Sequence, residues 1–224
     1  MEAQGLIDRL RRAWLDDTST PYLWEDEELF GHLNEAVKQA CLRKRALHER
    51  DSTPVCHYPL TAGVADVTLH PAVLAVRTAR LASGGRPLTL ITLRRMDRMR
   101  PDWPDHARGT PTHLILDAQE RRVTLYPTPA VADTLKLAVW RMPLESERID
   151  AGSDEPVIDP LYHEDLLDWV AHLAFAKPDS ETQDLQRSAV YAERFTAKFG
   201  SLPDARAVRL WGLSPRVPRP VAFD

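Results

Sequence analysis

The sequence predicts an α+β protein, because two kinds of hydrophobic spacing occupy different parts of the chain. Near both ends, apolar residues recur every three to four positions, which is typical of amphipathic helices. Between about residues 52 and 143 the spacing falls to two, and Gly, Pro or Asp separate short segments rich in Val, Leu and Thr. Since each helix must bury its apolar stripe, the simplest architecture is a four-helix bundle core with an antiparallel β-domain inserted between helices 2 and 3.

The same pattern predicts the domain organisation. Residues 1–51 and 156–200 form a discontinuous helical domain, and residues 52–155 form the inserted β-domain with its linker. Residues 201–224 form an extended C-terminal arm. A chain of 224 residues is long enough to bury a core in one large domain or in two small ones.

Two helices are predicted before the β-domain. The first lies in the first fifteen residues, and the "DDTSTPY" segment that follows ends it. Its apolar stripe is Leu6, Ile7, Leu10, Ala13 and Trp14. The second runs from about Trp24 to His48, with acidic residues in its first turn and basic residues near its end, as the helix dipole favours. Its apolar stripe consists of Leu29, Phe30, Leu33, Ala36, Val37, Ala40 and Cys41.

The middle section predicts six or seven short strands. The segments are "PVCHYPL", "ADVTLH", "AVLAVRTARLA", "PLTLITL", "PTHLILD", "RVTLYP" and "TLKLAVWRM". In the last of these, Leu135, Leu137 and Val139 recur at every second position, which indicates a half-buried strand. "SGGRP" lies between strands, so we expect a hairpin turn there rather than a phosphate-binding loop. "RRMDRMRPDWPDHARG" follows neither period and is predicted to be a loop with a short helical turn.

Two further helices are predicted after the β-domain. Asp159 and Pro160 are suited to begin the third, which should run to about Lys177, before Pro178. For the fourth helix, a capping box is predicted from Ser180 to Gln183 and a stop at Gly200. Its apolar stripe is Leu185, Ala189, Ala192, Phe195 and Phe199.

The segment after Gly200 contains four prolines and has no periodicity. It is either a disordered tail or an arm that docks onto a partner chain, and its apolar content favours the arm. The apolar residues are Leu210, Trp211, Leu213, Val217, Val221 and Phe223.

Composition limits the classes of function. The net charge of −4 argues against a dedicated nucleic-acid-binding protein. No apolar run is long enough to span a bilayer and the N-terminus lacks a signal-peptide core, so we expect a soluble protein made in the cytoplasm.

Charge is unevenly distributed along the chain. The stretch from Arg77 to Arg122 contains ten arginines and five acidic residues, which gives it a net charge of +5 and leaves −9 for the rest of the chain. This imbalance could orient one subunit against another. Cys41 and Cys56, in a predicted helix and a predicted strand, are expected to be reduced, buried thiols.

The third predicted helix carries the residues most suited to catalysis. His163 and His172 are nine residues apart, so they point to opposite faces and do not share a metal ion. His163 falls in the apolar stripe, where we expect a partly buried ring bonded to the backbone or to a carboxylate. Glu164, Asp168 and His172 share the other face, which indicates either a metal-dependent hydrolase or an ordinary solvated helix surface. No second cluster completes a metal site, and this favours the solvated surface.

Four segments in order resemble the head-to-tail adaptor, or connector, proteins of tailed bacteriophages. The segments are "LWEDEELFGHLNEAVKQACLRKR", a β-region with "GTPTHLILD" and "VTLYPTP", "PVIDPLYHEDLLDWVAHLAFAKPDSETQD", and "YAERFTAKFG". The resemblance covers about residues 24–200. It implies a non-enzymatic virion protein that forms a ring, commonly of twelve subunits, beneath the portal, and that is assembled in the host cytoplasm. Double-stranded DNA would pass through the ring without sequence-specific binding, and tail, stopper or terminator proteins would attach below it.

The resemblance and the charge distribution together suggest two kinds of binding surface, with no cofactor, metal or membrane involved. The arm would bind the portal through Arg209, Leu210, Trp211, Leu213, Arg216, Val217, Arg219 and Phe223. The subunit interface would join Arg94, Arg95, Arg98 and Arg100 of one copy to Glu25, Asp26, Glu27 and Glu28 of the next. The "LRRMDRMR" segment with these arginines could also be a solvated loop or a DNA contact. A ligand-binding β-module is a further alternative to the adaptor.

Overall fold

A computed structural model describes residues 1–178 and 182–204, and it shows an α+β protein. The α-helices of the described residues are α1 Ala3–Leu10, α2 Asp26–Lys44, α3 Thr53–Cys56, α4 Leu93–Met99, α5 Leu166–Ala176 and α6 Leu185–Phe199. The strands are β1 His48–Glu49, β2 His57–Leu60, β3 Asp66–Thr68, β4 Val73–Leu81, β5 Thr89–Ile91, β6 His113–Gln119, β7 Arg122–Tyr126 and β8 Asp133–Arg141. A π-helical turn extends α1 over Arg11–Leu15, and short 3₁₀ turns occur elsewhere, including one at Pro160–Tyr162.

The described chain divides into two compact units. The helical unit consists of Met1–Leu47 and Met142–Pro203, and it contains α1, α2, α5 and α6. The β unit is formed by His48–Arg141, with all eight strands and the short helices α3 and α4.

The helical unit is built around one hydrophobic core to which all four of its helices contribute. Trp24, which precedes α2, is fully buried, and its indole Nε1 donates a hydrogen bond of 3.2 Å to the Ala174 carbonyl of α5. Its ring meets Phe175 edge-on, with centroids 5.9 Å apart. The predicted stripe of α2 is buried along its whole length, so burial of apolar area is the main stabilising contribution here.

The C-terminal ends of α2 and α6 are tied together by basic side chains. Arg43 Nη1 donates to Thr196 Oγ1 at 2.9 Å and to the Gly200 carbonyl at 3.3 Å. Lys44 Nζ donates to the Lys198 carbonyl at 3.4 Å. Two cations of α2 thus satisfy carbonyl groups at the end of α6, where the helix dipole favours positive charge.

Three predicted helix boundaries are corrected by local hydrogen bonding. α2 ends at Lys44 and not at His48, because Arg45 adopts a left-handed conformation with φ 54°. The third predicted helix does not begin at Pro160: the Asp159 side chain caps a 3₁₀ turn instead, and α5 begins at Leu166. α6 begins after Asp184, whose carboxylate accepts from the Arg187 backbone N–H. The predicted capping residue Ser180 lies outside the described residues.

The β unit contains two four-stranded sheets. In the first, β8 pairs antiparallel with β1, β2 and β4. The second has the order β3–β7–β6–β5. Burial along β8 alternates as expected for a half-buried strand. Each of the seven predicted segments contains a strand, whereas β1 was not predicted.

Several expectations about the β unit are wrong in detail. The domain is not wholly antiparallel, because β5 and β6 pair in parallel. "SGGRP" is not a hairpin turn, since the strands that it joins, β4 and β5, belong to different sheets. Cys56 ends the short helix α3 and does not lie in a strand, although both cysteines are free and buried as expected. The "RRMDRMRPDWPDHARG" segment does contain a short helix and a loop, as predicted, although the helix α4 extends over two turns and a 3₁₀ turn follows it at Trp103–Asp105.

Candidate interaction surfaces

The three residues of the hydrolase alternative each bind a different partner. Glu164 Oε1 accepts from Arg9 Nη1 at 2.5 Å. Asp168 Oδ1 accepts from Trp14 Nε1 at 3.2 Å, and His172 Nδ1 lies 2.8 Å from Ser188 Oγ. Among residues 1–178 and 182–204, no group of three or more His, Cys, Asp or Glu side chains is placed to hold a metal ion. These contacts join α5 and the turn before it to α1, to the π-helical turn and to α6, and the three side chains do not share a partner.

His163 lies in the turn before α5 and is buried there, more completely than the partly buried ring that its position in the apolar stripe predicts. Its side chain is 1% exposed, and Nε2 lies 2.9 Å from the Ile158 carbonyl. Nδ1 lies 3.3 Å from the Met1 amino group, which also pairs with Glu155 at 3.2 Å. The ring therefore holds the turn before α5 and has a structural role.

We expect Asp168→Asn to stabilise the helical unit at neutral pH. Burial raises the pKa of Asp168 and outweighs the Trp14 hydrogen bond and the attraction of Arg194 and Lys198, while Asp165 raises the pKa further. A carboxyl group whose pKa is higher in the folded state than in the unfolded state destabilises the fold when it ionises. The stability of the protein falls as the pH rises from the unfolded-state pKa to the folded-state pKa, and it stays at the lower value at higher pH. Asparagine retains an Oδ1 atom that can accept the Trp14 hydrogen bond, and it does not ionise, so this loss of stability is avoided.

Urea denaturation at neutral pH and at about pH 3, below the ordinary pKa of a carboxyl group, would check this prediction. The difference between variant and wild type should shrink at the lower pH. Asp8→Asn, at an exposed position, is the matched control. A stability difference that does not change with pH would contradict the ionisation argument.

A buried arginine fixes the loop between α1 and α2. Arg11 is only 4% exposed and forms an ion pair with the equally buried Asp17. Its Nη2 donates to the Trp24 carbonyl at 2.6 Å and to Asp26 Oδ1 at 2.7 Å. Asp17 Oδ1 also accepts from the Leu23 backbone N–H at 3.0 Å. Buried charges with this many partners specify one loop conformation.

The loop presents apolar side chains outward, and we call Pro21, Tyr22 and Leu23 the loop tip. Tyr22 is 41% exposed and Leu23 is 47% exposed. The Arg11 guanidinium lies 3.9 Å from the centroid of the Tyr22 ring, which holds that ring in place. Large apolar side chains on a fixed, exposed loop are a common feature of protein-binding surfaces.

The four acidic residues predicted at the subunit interface differ in their contacts. Asp26 pairs with Arg11, and Glu28 pairs with Lys177 at 2.8 Å, so both are used within the helical unit. Glu25 and Glu27 are exposed and form no ion pair within the described part of the chain. Of these four acids, Glu25 and Glu27 are therefore the two that have no ion-pair partner among the described residues and can meet a partner chain.

The predicted arginines of the interface lie on and just after α4. Thr92 caps this helix by accepting from the Arg95 N–H, and Met96 is fully buried against Ile91, Ile115 and Tyr126. Arg94, Arg95 and Arg98 are exposed and, together with Thr92, line a surface depression of about 370 Å³. We call these three side chains the arginine face. Beside it, Met99 is 47% exposed, and Arg100 Nη1 lies 3.4 Å from His106 Nε2.

Comparison with known families decides the identity. A family model described as SU10 adaptor protein matches residues 1–219. The chain belongs to this family. It is a family of phage head-to-tail adaptors, which confirms the resemblance found in the sequence. A search of curated proteins found no match.

Membership of the SU10 adaptor family defines the broad function. It indicates a structural phage protein and a component of the virion, in a class that is generally non-enzymatic. It also implies association with phage portal and tail proteins. No helix in the described part of this adaptor is long and apolar enough to cross a membrane.

Sequence reasoning located the adaptor's arginines but missed the loop tip. The "DDTSTPY" segment by its composition predicts only the end of a helix. A signal was present, because Arg11 falls beside the apolar stripe of α1, four residues after Ile7, and acidic residues follow it at positions 16 and 17. The residues predicted to bind the portal, from Arg209 to Phe223, lie outside the described residues.

Proposed function

We propose that this adaptor forms a ring beneath the portal of a tailed phage, extends the DNA channel and provides the attachment site for tail, stopper or terminator proteins. The family match over residues 1–219 carries this proposal, because it includes both compact units and most of the segment after Gly200. The ring would contain twelve subunits, and assembly would take place in the host cytoplasm.

In this proposal each part of the chain has its own role. The four helices α1, α2, α5 and α6 would form the bundle, as residues 1–51 and 156–200. The β-domain, residues 52–155, would be inserted between α2 and α5. Residues 201–224 would form the arm that reaches the portal, through the residues from Arg209 to Phe223.

The charge of the chain is compatible with a conduit for DNA. The net charge is −4 per chain, and a strongly basic channel would retain the duplex by neutralising its phosphates. We therefore expect DNA to pass without sequence-specific binding. In the described chain, Glu164, Asp168 and His172 are occupied by separate structural contacts, which supports a non-enzymatic role.

Negative-stain electron microscopy tests the function directly. The full-length chain, alone or mixed with the portal protein of the same phage, is expected to give rings, and the mixture should show the ring attached to the portal. A protein that stays monomeric and does not bind the portal would contradict the proposed function.

A further inference from the structure

We propose that neighbouring copies of this chain bind through two specific surfaces: the loop tip with Glu25 and Glu27 on one copy, and the arginine face of α4 with Met99 on the next. The inference rests on the proposed function, because a ring requires contact between copies. It goes further by naming the residues that meet.

The first surface is prepared for binding by the helical unit itself. The Arg11 ion pairs fix the loop before any partner arrives, so little conformational entropy is lost on contact. Tyr22 and Leu23 supply exposed apolar area, and Glu25 and Glu27 supply unpaired negative charge beside it. Asp26 and Glu28 are excluded from the surface because their charges are already paired within the unit.

The second surface is held equally firmly in the β unit. Buried Met96 anchors α4, and Asp97 Oδ1 accepts from Trp103 Nε1 at 2.9 Å. The only acidic side chain of α4 is thus bonded to that tryptophan. The three residues of the arginine face lie within about one turn of α4, and their guanidinium groups have no ion-pair partner in the described chain. Like charges at this spacing repel, so an anionic partner would stabilise them.

The partner that these features fit is a second copy of this chain. Each surface combines exposed apolar area with unpaired charge, and the two charges are opposite in sign. A nucleic acid would satisfy the arginines but would leave Met99 without an apolar contact, whereas Tyr22 and Leu23 offer one. Because the two surfaces are different, the contact is heterologous, and repeated contacts of this kind close into a ring when the rotation permits.

Charge reversal provides the test, on the full-length chain. The acid-reversed variant is Glu25→Lys/Glu27→Lys, and the base-reversed variant is Arg94→Glu/Arg95→Glu/Arg98→Glu. Sedimentation velocity at low ionic strength should show that each variant alone self-associates at least about a hundredfold more weakly than wild type. An equimolar mixture of the two should assemble, because opposite charges then meet at every interface.

A matched control separates the effect of where the charges are reversed from the effect of the change in net charge. Arg80→Glu/Arg86→Glu/Arg122→Glu makes the same change of charge at exposed arginines elsewhere in the β unit, and it should assemble like wild type. Far-ultraviolet circular dichroism would show that all variants are folded. The inference is overturned if the mixture sediments as monomers, if either reversed variant alone assembles like wild type, or if the control fails to assemble.

The portal distinguishes this inference from the proposed function. Reversed variants that still form rings on the portal would refute the interface while leaving the adaptor function intact. A wild-type chain that neither self-associates nor binds the portal would instead refute the function itself.

Discussion

Replacing Arg11 with alanine is expected to destabilise the helical unit by about 3–5 kcal/mol, the usual cost of removing one partner from a buried ion pair. Asp17, which is 4% exposed in the wild-type chain, would lose its counter-ion, and the Trp24 carbonyl would lose its donor. Chemical denaturation followed by far-ultraviolet circular dichroism measures this loss. The variant should also assemble poorly, because the loop tip would no longer be fixed.

Two further variants test the cause of this destabilisation. Arg12→Ala removes the neighbouring, exposed arginine and should change stability by no more than about 0.5 kcal/mol. Arg11→Met/Asp17→Asn leaves no buried charge and should recover part of the loss. If the double variant is no more stable than Arg11→Ala, the loss comes from packing and not from the uncompensated carboxylate.

Removing residues 205–224 should abolish attachment to the portal while leaving the fold intact. The truncated chain keeps the helices and strands α1–α6 and β1–β8 and the hydrophobic core of the helical unit, so we expect thermal unfolding close to that of wild type. The lost segment contains Trp211 and several arginines, residue types that dominate the binding energy of protein interfaces. Co-sedimentation with the portal measures attachment.

A scrambled arm is the appropriate control for the truncation. A chain with the same arm composition in a different order should bind the portal poorly if recognition depends on sequence. Equal binding of the truncated and full-length proteins would refute the role of the arm.

The parts of the fold predicted correctly are those determined by local pattern. The apolar stripe of α2 recurs over three turns, and every member of it is buried. His163 was predicted to be buried from its position in a stripe, and the structure confirms a ring bonded to a backbone carbonyl. These features follow from side-chain spacing alone.

The features that were missed depend on residues distant in sequence or on competing local bonds. The parallel pairing of β5 and β6 is a choice between strands that residue spacing does not encode. The start of α5 is shifted because Asp159 and His163 stabilise a tighter turn than the expected helix. At the interaction surfaces, charge counting found the arginines, but it did not show that Asp26 and Glu28 are already paired.

The ties between the ends of α2 and α6 have a mechanical consequence. If the segment beyond residue 203 is pulled by a bound partner, tension first reaches Gly200, whose carbonyl is held by Arg43. The force is then carried by α2 as well as α6, because Arg43 donates a hydrogen bond to Thr196 and Lys44 donates one to the Lys198 carbonyl. Peeling α6 away would require several hydrogen bonds to rupture together. The C-terminal end of α6 therefore resists a pulling force together with α2, and not as a single helix.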